Sequence, residues 1–241
     1  MRLNSFILSL LLFIVVRNSL ASQDCVILLH GLGRTSFSMS SIASYLKKSN
    51  YIVINQHYPT TKKSVRDLAD ENVDSMVNEC QKLKPAKIHF VTHSLGGIVL
   101  RTYLLDNKIH NLGRIVMLAP PNHGSQLADI FHHNILYQIF AGPAGQEITT
   151  KQPDLVKLNK PVKYQVGVIA GNFNFSPFTR VIFHEDNDGK VAVSSTRLAG
   201  MKDFIVLPVS HMFMMRNKLV IKEIGYFLEK GSFDKELVKT S

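Results

Sequence analysis

Apolar residues in this sequence form six short runs that alternate with longer segments in which apolar and polar residues recur at helical spacing. The runs are continuously apolar, as is typical of strands buried on both faces of a parallel sheet. Predicted strands lie at 25–29, 51–55, 88–91, 115–119, 164–170 and 204–207. Helical patterns lie near 38–48, 64–83, 97–106 and 216–229. The alternation predicts an α/β fold with a mainly parallel sheet flanked by helices on both faces.

The stretch 123–162 interrupts this alternation between the fourth and fifth predicted strands. An apolar helical pattern is followed there by the turn-rich Gly142-Pro143-Ala144-Gly145. Two interpretations stay open for the insertion around 125–160. It forms a lid or acyl-pocket wall in which Phe131 and Phe140 contact the substrate, or it is a crossover helix packed on the sheet. Long irregular connections inside compact domains tend to be functional, which favours the lid.

The first 21 residues have the pattern of a secretory signal peptide. Arg2 precedes an apolar run at 6–16, and Ser19-Leu20-Ala21 supplies small residues before a predicted cleavage point. The run is short for a membrane span, and an uncleaved anchor is the alternative. We therefore expect an exported protein, periplasmic or secreted, whose residues 22–241 form a single domain.

The composition is basic, with a formal net charge of +10. Removal of residues 1–21 takes away two arginines and no acidic residue, which lowers this charge by two, to +8. Such a charge favours weak association with anionic membrane surfaces. The lysines are scattered and no basic stretch interleaved with aromatic residues is present, so we expect no nucleic-acid partner. The sequence leaves the oligomeric state open.

Cys25 and Cys80 are the two cysteines of the chain. Cys25 begins the first predicted strand, and Cys80 lies in the last turn of the second predicted helix, so both fall at the same end of the sheet. Export permits a disulfide between them, and a bridge and two buried thiols both stay open. Neither has a close Cys or His at ligand spacing, so no metal site is predicted.

Ser94 stands on a predicted sharp turn between a strand and a helix. A serine placed there projects its hydroxyl above the sheet edge, where a base can reach it. Strand and helix nearly touch at such a turn, and Gly96 and Gly97 supply the small neighbours that this requires. The usual pattern is G-x-S-x-G, and Thr92 replaces its first glycine. We predict Ser94 to be a catalytic nucleophile.

A serine nucleophile needs a base, and the base needs a carboxylate to orient it. In a sheet of this kind the chain order is serine, acid, histidine. His211 is the one histidine after the acidic cluster at 185–188, and it follows the last predicted strand. We predict His211 as the base and Asp188, which precedes a glycine, as the acid. Asp186 and Asp203 stay open as alternative acids.

Acyl chemistry also needs backbone N–H groups directed at the developing oxyanion. Leu95 follows the nucleophile and supplies one N–H. Leu32 is the predicted second donor, because the glycines on either side of it allow close approach of the backbone to a substrate. The His30 side chain is expected to brace this loop, and His93 is expected to have a structural role.

Taken together, these motifs resemble the α/β-hydrolase superfamily, in particular its lipase and esterase branch. They occur in the family's order over nearly the whole of residues 22–241. The matching segments are His30-Gly31-Leu32, Thr92-His93-Ser94-Leu95-Gly96-Gly97, Pro120-Pro121-Asn122-His123-Gly124-Ser125, Asn187-Asp188-Gly189-Lys190-Val191 and His211. The resemblance implies that Leu32 and Leu95 form the oxyanion hole. Phe213 stands where calcium-stabilised relatives carry an aspartate, so neither calcium nor any other cofactor is expected.

These features predict an exported serine hydrolase that cleaves carboxylic esters, a bacterial lipase or esterase acting on an ester or lipid substrate. A phospholipase or an acyltransferase using the same residues is the nearest alternative. A non-catalytic binding protein on a hydrolase scaffold is a further alternative, and it is disfavoured because all three triad residues are present.

Overall fold

The computed structural model of this chain describes residues 22–236, and the predicted signal peptide at 1–21 lies outside the described residues. Six parallel strands form one sheet in the order β2-β1-β3-β4-β5-β6. The strands are β1 (Cys25–Leu29), β2 (Ile52–Ile54), β3 (Ile88–His93), β4 (Leu112–Leu118), β5 (Val166–Gly171) and β6 (Asp203–Leu207). The predicted fold class is confirmed. The first strand lies where it was predicted, and the other five are present with ends shifted by one to three residues.

The described α-helices connect and cover these strands. They are α1 (Ser40–Lys48), α2 (Val65–Asp67), α3 (Asp74–Lys82), α4 (Leu95–Asp106), α5 (Gln126–Phe131), α6 (Ile135–Gln146), α7 (Pro153–Lys157), α8 (Pro177–Ile182), α9 (Val193–Thr196) and α10 (Lys218–Lys230). A π-helical stretch, Leu68–Val73, links α2 to α3. Within residues 22–236, no helix is long and apolar enough to cross a membrane.

The buried apolar side chains form two layers, one on each face of the sheet. On one face, Val26 and Leu28 of β1 pack in a cluster with residues of α1 and α10. On the other face, Ile27 and Leu29 pack in a cluster with residues of α3 and α4. Alternate residues of a strand point to opposite faces, so a strand covered on both sides is apolar at most of its positions. This explains the continuous apolar runs in the sequence.

A disulfide joins Cys25 and Cys80, whose Cα atoms are 6.2 Å apart. It connects the first residue of β1 to the last turns of α3, the positions expected from the sequence. Of the two alternatives left open for these cysteines, the structure has the bridge. The disulfide lies at the amino end of the strands, at the edge of the sheet opposite to Ser94.

The insertion between β4 and β5 contains three helices, α5, α6 and α7. Gly142 interrupts α6 with φ 63° and ψ −169°. A Cβ atom at this position would lie 1.8 Å from the carbonyl oxygen of Thr61, so both the conformation and the close approach require glycine. A turn was predicted at 142–145. In the structure, only Gly142 leaves the helical conformation, and the residues after it are helical again.

Candidate active site

Ser94 occupies the turn between β3 and α4 in a strained backbone conformation. Its φ of 53° and ψ of −124° are uncommon for a residue with a side chain. The backbone is fixed by the Ser94 N–H, which donates to the Leu118 carbonyl at 2.8 Å. Gly96 allows the helix to start against β1, because a Cβ atom there would lie 2.6 Å from the Leu29 carbonyl oxygen. The geometry is that of the sharp strand-to-helix turn predicted from the sequence.

Thr92, which replaces the usual glycine of this turn, is completely buried. Its hydroxyl oxygen has no hydrogen-bond partner within the described residues. A Cβ atom on Gly97 would lie 3.3 Å from that oxygen and 3.0 Å from the Pro120 side chain. The larger side chain at position 92 is therefore accommodated because Gly97 leaves space beside it.

His211 and Asp188 are in direct contact. Nδ1 of His211 lies 2.7 Å from one carboxylate oxygen of Asp188, and both side chains are buried. The other carboxylate oxygen accepts the backbone N–H groups of Lys190 at 3.0 Å and Val191 at 2.8 Å. The His211 N–H donates to the Asp188 carbonyl at 2.9 Å, which ties the two loops together. This network holds both the carboxylate and the imidazole in place.

The two alternative acids lie elsewhere. Asp186 is exposed, and its carbonyl accepts the N–H of Val193. Asp203 begins β6, at the opposite edge of the sheet, where its carboxylate accepts the N–H groups of Phe204 and Phe233. Among the three carboxylates left open by the sequence, Asp188 is the one that contacts His211.

Ser94 and His211 line the same cavity, whose volume is about 110 Å³. The described residues include no hydrogen bond between Ser94 Oγ and His211. Catalytic hydrogen bonds are often long or misaligned in the absence of substrate and tighten when it binds. One wall of the cavity is apolar and is formed by Pro121, Leu127, Ala128, Tyr137 and Ile148.

The loop after β1 brings Leu32 to this cavity, and His30 braces the loop from below. Nδ1 of His30 lies 3.0 Å from the Gly31 carbonyl, and its Nε2 accepts the N–H of Tyr58 at 3.3 Å. Burial lowers the pKa of His30 to about 4, so the ring is neutral at neutral pH. Within residues 22–236, neither the Leu32 nor the Leu95 N–H donates to another protein group. Two N–H groups are therefore free at the positions predicted for an oxyanion hole.

Phe131 and Phe140, the two predicted substrate contacts, do not line the cavity. Phe131 packs against the rings of Tyr137 and Phe178, with centroids 6.3 and 6.2 Å away. Phe140 is 75% exposed to solvent. The apolar wall comes instead from Leu127, Tyr137 and other residues of the same insertion. Sequence periodicity placed an apolar surface in this segment but did not distinguish its inward face from its outward one.

Three further residues line the cavity: Arg34 and Lys190, which the sequence did not indicate, and His93, for which a structural role was expected. Arg34 and Lys190 carry positive charges to the cavity. His93 is buried beside Ser94, and its Nε2 lies 3.2 Å from the His211 carbonyl. Desolvation, and then the nearby His211 and Arg34, hold the pKa of His93 well below its ordinary value. Arg34 and Lys190 each lie two residues after a predicted site residue, Leu32 and Asp188, and this spacing was the available signal.

Comparisons with known proteins agree with this architecture. The human lysosomal thioesterase PPT2 is 28% identical over 149 residues, which are 54% of this chain and 47% of that protein. The chain thus spans about half the length of the curated relatives it matches. The mature Bacillus licheniformis lipase BlEst2 superposes with a TM-score of 0.71 at 22% identity, over 86% of this chain and 92% of that one. Phospholipase PlaB from Legionella pneumophila superposes with a TM-score of 0.70 at 19% identity, over 91% and 63% of the two chains.

These structural likenesses confirm the α/β-hydrolase fold inferred from the motifs. A domain family of unknown function, DUF7379, matches residues 18–165, which include β1 to β4, Ser94 and both predicted oxyanion donors. The chain therefore belongs to the family DUF7379 and has the α/β-hydrolase fold.

Proposed function

We propose that this protein is a serine hydrolase that cleaves carboxylic esters. The observation that carries the proposal is the 2.7 Å contact between Asp188 and His211 on a cavity that Ser94 also lines. A strained serine at a strand-to-helix turn, a buried histidine and a buried aspartate are the three groups that acyl transfer requires.

In the proposed reaction, Ser94 Oγ attacks the carbonyl carbon of the ester and His211 takes its proton. Asp188 holds the imidazole in the required tautomer and stabilises the imidazolium. The free N–H groups of Leu32 and Leu95 stabilise the negative charge on the carbonyl oxygen. The bond from the carbonyl carbon to the leaving oxygen or sulfur then breaks, and the leaving group receives the proton from His211. Water hydrolyses the acyl-enzyme by the reverse sequence of proton transfers.

The acyl part of the substrate is proposed to be apolar, because Leu127, Ala128 and Ile148 line the cavity. Oxoesters, as in a lipase or esterase, are the first candidate class. Thioesters are the second, because the matched human relative is a thioesterase. A phospholipase or an acyltransferase would use the same residues and differ in headgroup or acyl acceptor.

Export to the periplasm or the medium is part of the proposal. It is supported by the disulfide between Cys25 and Cys80, since such bridges persist mainly in oxidising compartments. The sequence pattern of residues 1–21 agrees with it.

Labelling by a fluorophosphonate tests the proposed nucleophile directly. The wild-type protein should become labelled and should turn over p-nitrophenyl esters, and Ser94→Ala should abolish both. Ser49→Ala, which changes an exposed serine after α1, is the matched control and should label like the wild type. Labelling of the Ser94→Ala protein at the wild-type level would refute the assignment.

A further inference from the structure

Two cationic side chains, Arg34 and Lys190, line the cavity that contains Ser94 and His211. They come from loops far apart in the sequence. Arg34 follows the predicted oxyanion donor Leu32, and Lys190 follows the predicted acid Asp188. Nothing in the proposed cleavage of an uncharged ester uses a positive charge at these positions.

Backbone contacts fix both residues relative to the catalytic groups. The Arg34 N–H donates to the Gly31 carbonyl at 3.2 Å. The Lys190 N–H donates to the Asp188 carboxylate at 3.0 Å, and Ser125 Oγ donates to the Lys190 carbonyl at 3.0 Å. The backbone segments that carry the two charged side chains are therefore fixed in place next to the site.

Neither charge has a counterion in the part of the chain that the structure describes. Arg34 and Lys190 form no ion pair and no side-chain hydrogen bond there, whereas Arg66 pairs with Asp106 at 2.6 Å. The Asp188 carboxylate is occupied by His211 and by two backbone N–H groups. Partial desolvation and, to a smaller extent, Arg34 lower the pKa of Lys190, and Asp188 opposes this effect. Two like charges close together without a counterion favour the binding of an anion.

We propose that Arg34 and Lys190 bind a phosphate group carried by the alcohol or thiol part of the substrate. This inference rests on the proposed function, of which it names the substrate class. An arginine fork binds phosphate through two hydrogen bonds, and a lysine ammonium binds it as a point charge, so the two side chains together suit a phosphate group. The leaving group carries it, because the apolar wall of Leu127, Ala128 and Ile148 suits the acyl chain.

The phosphate takes no part in bond breaking. Ser94 displaces the alcohol or thiol from the carbonyl carbon, His211 protonates the departing oxygen or sulfur, and the phosphodiester or phosphomonoester leaves intact. Arg34 and Lys190 are thus specificity-determining residues, and their effect belongs to the binding of the substrate and of the transition state.

Two substrate pairs test the inference, each differing in the presence of phosphate. The lipid pair is decanoyl lysophosphatidylglycerol and monodecanoylglycerol. The thioester pair is decanoyl-coenzyme A and the decanoyl thioester of N-acetylcysteamine. The quantity measured is the ratio of kcat/KM for the phosphate-bearing member to that for its neutral partner, determined for the intact protein.

In at least one pair, Arg34→Gln and Lys190→Gln should each lower this ratio about 10-fold or more, as expected for loss of a charge-assisted hydrogen bond. Arg34→Lys keeps the positive charge but loses the two parallel N–H donors of the guanidinium. Its ratio should therefore lie between that of the wild type and that of Arg34→Gln. Lys47→Gln removes an exposed charge at the end of α1 and is the matched control, with an unchanged ratio. Raising the ionic strength should lower the wild-type ratio and affect Arg34→Gln less.

The outcomes separate the possibilities. If the ratio falls in the lipid pair alone, the ligand is a phospholipid headgroup. If it falls in the thioester pair alone, the ligand is coenzyme A. If it falls in both pairs, the site binds phosphate in general. Ratios that stay unchanged in both variants, with neutral esters still cleaved, would overturn the subsite and leave the proposed function intact. If no substrate is cleaved and Ser94 is not labelled, the proposed function fails first.

Discussion

At the scale of single residues, the two oxygens of Asp188 have separate tasks. One accepts Nδ1–H of His211, and the other accepts the backbone N–H groups of Lys190 and Val191. The second set of contacts determines which oxygen faces the histidine. An amide in place of the carboxylate would therefore have its orientation dictated by the backbone.

In the proposed mechanism, Asp188→Asn should for this reason remove most of the activity while keeping the fold. The Asn oxygen would accept the two N–H groups, so its NH₂ group would face His211 and require Nδ1 to be an acceptor. The proton would then reside on Nε2, which could not take the Ser94 proton, and kcat should fall up to ~10⁴-fold. Asp186→Asn, at an exposed position, should have a mild effect. Melting temperatures and kcat of both variants check this, and the reverse ranking would move the acid to position 186.

The placement of a residue could be predicted from the sequence where its neighbours in the chain dictate its geometry. Ser94 is flanked by a buried strand and small residues, and His211 follows the last strand, so topology alone brings them to one edge. The pairing of Arg34 with Lys190 was not predictable in this way. Their proximity depends on how the loop after β1 and the loop after Asp188 are placed relative to each other across the cavity. The local sequence of neither loop determines that placement.

At the scale of elements, the strands were predictable because burial on both faces requires most residues to be apolar. The insertion was predicted only as an apolar helical segment. The break inside α6 depends on the contact of Gly142 with Thr61, a residue distant in sequence. The short helix α8 was not predicted, because six residues are too few for a clear helical periodicity.

The face of α5 that lines the cavity should control acyl-chain selectivity. Leu127→Ser removes an apolar contact with the chain and should lower kcat/KM for decanoate esters about 10-fold while sparing acetate esters, since each buried methylene contributes ~0.8 kcal/mol. Ile130→Ser, an exposed position on the same helix, is the control and should keep the chain-length profile. A uniform loss over all chain lengths in Leu127→Ser would contradict the assignment of this wall. A shortened profile in Phe140→Ser would instead support the sequence prediction for that residue.

At the scale of the whole molecule, large apolar side chains are exposed on the insertion between β4 and β5, on and near α8, and shortly after His211. Aromatic rings from different segments are in contact there. The ring of Phe131 packs against that of Phe178. The ring centroid of Phe175 lies 6.5 Å from that of Phe213, which follows His211 by two residues. Exposed apolar clusters of this kind mark interaction surfaces. We refer to the following exposed residues as the apolar rim: Ile135, Leu136, Ile139, Phe140, Phe175, Phe178, Val181 and Phe213.

An apolar rim on a basic protein leads us to propose weak association with anionic lipid surfaces. The protein should co-sediment with phosphatidylglycerol vesicles more than with phosphatidylcholine vesicles, and salt should reduce the difference. The double change Ile139→Ser and Phe140→Ser should weaken this partition about 10-fold, because two large apolar side chains no longer enter the interface. Leu83→Ser alters an equally exposed leucine after α3, outside the rim, and should bind like the wild type. Equal binding to both vesicle types would contradict the electrostatic part of the proposal.

The position of the disulfide has a consequence for the order in which the site is assembled. The covalent loop from Cys25 to Cys80 encloses Leu32 and Arg34 but none of Ser94, Asp188 and His211. Because an exported chain emerges from the membrane N-terminus first, this loop can close in the proposed oxidising compartment before the segments with Ser94, Asp188 and His211 have folded. In the proposed mechanism, the segment that carries the oxyanion donor Leu32 can thus be linked covalently before Ser94, Asp188 and His211 come together.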